Sequence, residues 1–202
     1  LEQIELIRRT LKRTGLPVAY TTGFHPQMKM SFGPAVSVGY ESTCEFADAV
    51  FTRQLEIKDA AKAINSALPG GFSLIEIRQV PNFFKPVDIE ANVVSYSIRD
   101  LTGPAGILPG EIEKAVASAL ASDDIAVEKK PGKIINARPL LLKMEWDGLL
   151  LKLELRSQQG NSIKPEKLIG KILGMGADEI KLLRIKRENL FSEKSPGVLI
   201  KI

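Results

Sequence analysis

The chain has 202 residues, 44% of them hydrophobic and 26% charged, with a formal charge of +4. That is enough for one large domain or two small ones with separate cores, and the mild basic excess permits an anionic partner without demanding one. No apolar run approaches the about eighteen residues that suggest a membrane span, and the single cysteine, Cys44, excludes an internal disulfide or a CxxC pair, in keeping with a cytoplasmic location.

Leu1, Ile4, Ile7 and Leu11 recur at helical spacing, Arg8, Arg9, Lys12 and Arg13 lie mostly off that stripe, and Gly15 supplies a stop, so residues 1–14 are expected to form a helix. It is charged and amphipathic, unlike a signal peptide. It has no capping residue before it, so the natural chain is expected to begin further upstream. Residues 17–20 read as a short strand. The stretch TGFHPQMKMSFGPAVSVGYES, residues 22–42, then holds the only histidine and is dense in residues that resist regular structure. Its first part, 21–34, is too long for a tight turn. Val36, Val38 and Tyr40 alternate as a strand, and residues 46–53 read as another. Ala60, Ala61, Ile64 and Leu68 predict a helix ending at Pro69-Gly70-Gly71, and 72–80 predicts a further strand.

Residues 81–89 read as a connector, after which the order repeats. Residues 93–98 alternate as a strand. Pro109 opens a helix carrying Ile112, Val116, Ala119 and Leu120, 125–129 is a short strand, and 130–138 a loop. Strands at 140–146 and 149–156 flank Asp147-Gly148, the tightest hairpin signal in the chain. Pro165 begins a helix with Leu168, Ile169, Ile172 and Leu173, stopped by Gly174, and 180–187 reads as a closing strand. The pattern predicts an α+β protein of two tandem ferredoxin-like (βαββαβ) halves, 1–80 and 90–190, joined by 81–89 and followed by a tail at 191–202. The first half lacks its opening strand.

No residue pattern forms a catalytic constellation. An imidazole is the side chain suited to proton transfer at physiological pH, and His25 is flanked by Pro26, yet with no paired nucleophile or carboxylate it reads as a general acid or base only weakly against a polar loop residue. Lys29 and Ser31 can meet an anion. Phe24 and Phe32 can either stack on a base or anchor the loop in the core, with Phe32 favouring the core. Arg138 can clamp a phosphate or carboxylate, or bridge the two halves by pairing with Glu41 or Asp48. Lys181, Arg184, Lys186 and Arg187 divide between the two faces of the last expected strand, closer to a protected edge than to a nucleic-acid groove. One histidine and one cysteine make a dedicated transition-metal site an improbable expectation.

The run LPVAYTTGFHPQMKMSFGPAVSVGYES resembles the signature of the radical SAM-linked domain family, DUF2344, through Gly23, Phe24, Pro26, Lys29, Ser31, Phe32, Gly39, Glu41 and Ser42. The segment INARPLL, through Arg138, Pro139 and Leu140, is similar to a second family motif, and RIKRENLF is similar to its closing segment. The chain departs from the pattern at Gln27-Met28, where a polar residue followed by proline is expected, and at Asn136, where an aspartate is expected. The resemblance implies association with a radical SAM protein as partner. Such chemistry needs three cysteine thiolates for a [4Fe-4S] cluster. With Cys44 alone here, SAM and the cluster would belong to that partner and no cofactor to this chain. The expectation is an accessory domain, more non-catalytic than catalytic, that binds a substrate or the partner enzyme through the 22–32 loop by Gly23, Phe24, His25, Pro26, Lys29 and Ser31, with Arg138 as a further binding candidate. The alternative is an RNA-binding or RNA-processing protein acting on tRNA or rRNA. No membrane or DNA partner is expected.

Overall fold

A computed structural model of the chain describes residues 2–81, 83–103, 105–158 and 161–202. Leu1 of the expected helical stripe and Asn82 of the expected connector lie outside them. In chain order the elements are α1 (Glu2–Thr14), β1 (Met30–Phe32), β2 (Glu41–Ser42), β3 (Ala47–Ala49), α2 (Ile57–Ala67), α3 (Val87–Glu90), β4 (Val93–Arg99), α4 (Pro109–Ala121), β5 (Ala126–Lys130) and β6 (Lys133–Asn136). A 3-10 turn at Arg138–Leu140 leads to β7 (Leu141–Trp146), β8 (Leu151–Gln158), β9 (Asn161–Ser162), α5 (Pro165–Leu173), α6 (Ala177–Leu182), β10 (Arg184–Ser195) and β11 (Val198–Lys201). The protein is α+β.

The chain divides into two compact units, one of residues 1–33 with 46–89 and one of 34–45 with 90–202. The division therefore does not follow the expected halves. Residues 34–45 leave the first unit and join the second, and 81–89 falls within the first.

The first unit is built on a small core. Leu11 of α1, Val18 and Met28 are buried, and Met30, Ala49, Phe51 and Ile64 of α2 pack against them. The helices form where apolar residues repeat every three or four positions, which leaves one stripe to bury. β1 pairs antiparallel with β3, and single bridges join Val18 to Phe51 and Tyr20 to Met28. One expected strand is absent and another shortened: residues 72–80 form no strand, and 46–53 is reduced to the three residues of β3. Ile75 and Val80 are exposed, so the alternation at 72–80 has no core to face. Among the described residues this unit does not complete a ferredoxin-like half.

The second unit carries a sheet in the order β11-β10-β4-β8-β7. The pairs β10·β4, β4·β8 and β7·β8 are antiparallel. Its chain order of strand, helix, two hairpin-joined strands, helix and strand is the split βαβ arrangement, with the β5–β6 hairpin inserted after α4. β4 is the central strand. Val93, Val94, Tyr96, Ser97 and Ile98 are all buried, so it reads as a continuous run with both faces covered. β8 instead alternates: Leu151, Leu153 and Leu155 are buried, while Lys152 is exposed. Register aligns those leucines with Ile98, Tyr96 and Val94. Ile112, Val116 and Ala119 of α4 and Leu168 and Ile169 of α5 complete the core.

Three further expectations fail here. Residues 36–40 are not a strand; the chain turns there and only Glu41–Ser42 pairs, parallel to β10. Residues 180–182 are the end of a helix rather than the start of the closing strand, because Gly176 and Glu179 begin α6: the Gly176 N–H donates to the Glu179 carboxylate at 2.5 Å. Residues 191–202 are not a tail, since β10 runs on to Ser195 and returns as β11.

Candidate binding site

The unusual 22–42 stretch is split between the two units at Gly33 and Pro34. Its first part is a closed loop. The Thr21 N–H donates to the Gln27 carbonyl at 2.8 Å, the Gln27 N–H to Thr21 Oγ1 at 2.9 Å, and the Lys29 N–H to the Ala19 carbonyl at 2.8 Å. Buried Met28 ties this arm into the core. Residues 22–26 thus form the tip of a hydrogen-bonded arm, tighter than the composition alone suggests. Gly23 sits at φ +129°, a conformation that L side chains rarely adopt.

The tip faces solvent. Phe24 is 103% exposed, and His25, Pro26 and Lys29 are exposed too. The structure therefore leaves Phe24 unburied, while Phe32 is half-buried beneath the Arg8 guanidinium, 5.9 Å from its ring centre. Ser31 points elsewhere: its hydroxyl donates to Asp48 at 3.0 Å, and the same Asp48 oxygen accepts the Val87 N–H at 2.7 Å. That bond ties β1 to β3 and to the start of α3.

Beside the arm lies a cavity of about 170 Å³. Glu5, Arg8, Arg9 and Lys12 line it from α1, and Tyr20, Pro26, Gln27 and Met28 line it from the arm. The spacing i, i+3, i+4 and i+7 puts those four α1 side chains on one helical face. Sequence reasoning saw these residues only as the polar side of a packed helix. Their spacing carried the signal, but the folded-back arm that turns a face into a cavity did not show.

Arg138 belongs to the second unit. Its Nε donates to the Ser122 carbonyl at 3.0 Å, Nη1 to Leu141 at 3.0 Å and Nη2 to Leu120 at 3.2 Å. The guanidinium thus takes up carbonyls that the end of α4 leaves without helical partners. Asn136, where an aspartate was expected, accepts the Ile125 and Arg138 N–H groups and donates to the Asp123 carbonyl.

The second part of the stretch, 34–45, organises around Arg187, which the sequence offered only as one of four basic residues on an edge-like strand. Arg187 is 2% exposed on the core face of β10, opposite Tyr96 of β4 and Ser42 of β2. Nη1 donates to the Pro34 carbonyl at 2.6 Å and to Glu45, and Nη2 to the Ala35 carbonyl at 2.8 Å. Ser42 also bonds Glu45. Burial pushes the Tyr96 phenol up, opposed by the adjacent Arg187. Burial likewise raises Tyr40, whose hydroxyl donates to Glu166 and whose ring meets Tyr96 edge-on at 6.2 Å. The Cys44 thiol is buried and pushed up by that burial, an environment that disfavours the reactive thiolate. Among the described residues no three His, Cys, Asp or Glu side chains gather as a metal-sized group, and no helix is long and apolar enough to cross a membrane.

Fold and site together define an α+β protein with a split βαβ sheet unit and a smaller unit presenting an exposed arm beside a basic cavity. The chain belongs to the family described as an uncharacterized protein conserved in bacteria, DUF2344, whose model matches residues 1–165. No curated protein matches it.

Proposed function

We propose that this chain is an accessory binding module that serves a radical SAM protein, holding a substrate or the partner enzyme itself through the 22–32 arm. The observation that carries the reading is Phe24: a fully exposed aromatic ring on a hydrogen-bonded tip, next to His25, Pro26 and Lys29. Exposed aromatic side chains on a preorganised support are favourable anchors for a partner, because little conformational freedom is lost when they are buried. SAM and the iron–sulfur cluster belong to the partner on this reading, and the pair acts in the cytoplasm. His25 then serves as a polar contact at the tip.

The test is reconstitution with a radical SAM protein encoded beside this chain. Stable co-purification that is lost in Phe24→Ala supports the proposal. Full partner activity after deletion of this chain counts against it.

A second reading, RNA binding, draws on the exposed Tyr20 in one cavity wall with Arg9 and Lys12, since stacking and cations together hold single strands. It requires binding to tRNA or rRNA that weakens steeply with salt; no binding at low ionic strength removes it.

A further inference from the structure

We infer that the cavity between α1 and the arm is a binding site for a phosphate dianion, free or as the terminal phosphate of a nucleotide. The site goes beyond the accessory reading and stands independently of it, because it does not use Phe24. Three cationic side chains, Arg8, Arg9 and Lys12, converge there with one carboxylate, Glu5, so positive charge is left unbalanced. Two charges on the ligand complete the balance, which a monocarboxylate does not.

The cations divide into a fixed one and two free ones. Arg8 is set by two contacts: Nη1 donates to Glu5 at 2.8 Å, and the guanidinium lies over the Phe32 ring. Its Nε is buried without a hydrogen-bond partner. Arg9 and Lys12 are exposed and make no ion pair among the described residues, so they are free to close on an anion. A preset guanidinium flanked by mobile cations loses less freedom on binding than three mobile ones, and charge-assisted hydrogen bonds to phosphate are the stronger kind. Tyr20, half exposed in the wall of the same cavity, supplies an aromatic face and a hydroxyl beside the cations. That combination suits a nucleotide, whose base and phosphate are separate features.

The experiment is titration calorimetry of the full chain at low ionic strength with inorganic phosphate, adenosine 5′-monophosphate and adenosine. The expected result is saturable binding of inorganic phosphate or the monophosphate, at least ten-fold tighter than adenosine and weakening as salt rises. Arg9→Ala combined with Lys12→Ala, both exposed and therefore compatible with an unchanged circular dichroism spectrum, reduces that binding at least ten-fold, while Phe24→Ala leaves it intact. Preference for the monophosphate over inorganic phosphate identifies the nucleotide as the source, and the reverse identifies free phosphate. Absence of saturable binding, equal binding of adenosine, or undiminished binding in the double variant overturns the inference. Loss of partner binding in Phe24→Ala with phosphate binding retained separates the two sites.

Discussion

Arg187 Nη1 lies 3.0 Å and 3.3 Å from the two carboxylate oxygens of Glu45, with the arginine side chain 2% exposed and the glutamate 37%. The arginine is buried on a sheet face otherwise lined by leucine, isoleucine and tyrosine, and it holds 34–45 in the second unit by two carbonyls and one carboxylate. Removing the buried guanidinium leaves the Pro34 and Ala35 carbonyls and the space around it unmatched, which together costs about 3–5 kcal/mol. Arg187→Ala is therefore expected to lower unfolding free energy by about that amount in urea denaturation and to expose the Thr43 amide, which donates to the Arg187 carbonyl at 3.3 Å, to hydrogen exchange. Arg187→Lys recovers only part of the loss, because an ammonium lacks the planar fork that meets Pro34, Ala35 and Glu45 together. A change below about 1 kcal/mol in Arg187→Ala contradicts this role.

Phe24 and Gly23 separate binding from stability. Phe24 is fully exposed, so Phe24→Ala is expected to shift unfolding free energy by no more than about 0.5 kcal/mol while abolishing capture of the proposed radical SAM partner. Gly23→Ala strains a backbone at φ +129° by about 1–3 kcal/mol, distorting the tip and weakening the same capture. Partner binding equal to wild type in both variants removes the arm from the interface.

Arg138 gives the opposite pattern. It caps the carbonyls after α4 and of Leu141 through three hydrogen bonds, and bonds to a charged donor contribute about 1.5–3 kcal/mol each without being additive. Arg138→Ala is expected to destabilise the protein by about 2–3 kcal/mol with partner and phosphate binding unchanged. Loss of binding at unchanged stability would restore Arg138 as a ligand contact.

The acid limb of stability should report on Glu193. Hydrogen bonds from Arg156, at 2.7 Å and 2.8 Å, and from the Gly197 N–H hold its carboxyl down at about 2 from an ordinary 4.5. A carboxylate held down in the folded state binds fewer protons than it does unfolded, so its contribution is complete above the ordinary value and falls away as pH drops toward the folded one. Urea midpoints are expected to decline between about pH 4.5 and 2, and the decline is shallower in Glu193→Gln. An identical acid slope in that variant contradicts the assignment.

Elements whose pattern needs only themselves were legible in the sequence. The helix at 109–121 carries Ile112, Val116 and Ala119 at helical spacing; β8 carries Leu151, Leu153 and Leu155 at strand spacing; Asp147-Gly148 turns the chain between β7 and β8, and Gly174 ends α5 in the left-handed conformation. The residues of the arm were legible as well, because glycine, proline and an isolated histidine break any regular period. Long-range partners were not. The alternation of Val36, Val38 and Tyr40 resembles a strand, yet what places 34–45 is Arg187, more than 140 residues downstream, reaching Pro34, Ala35 and Glu45. A basic residue in a strand sequence reads as solvated by default, since burying it is costly unless partners wait for it, and those partners are mostly main-chain carbonyls, which have no letter in a sequence. The same reason hid the cavity: Glu5, Arg8, Arg9 and Lys12 set one helical face from local spacing, but only the fold brings Tyr20 and Gln27 against it.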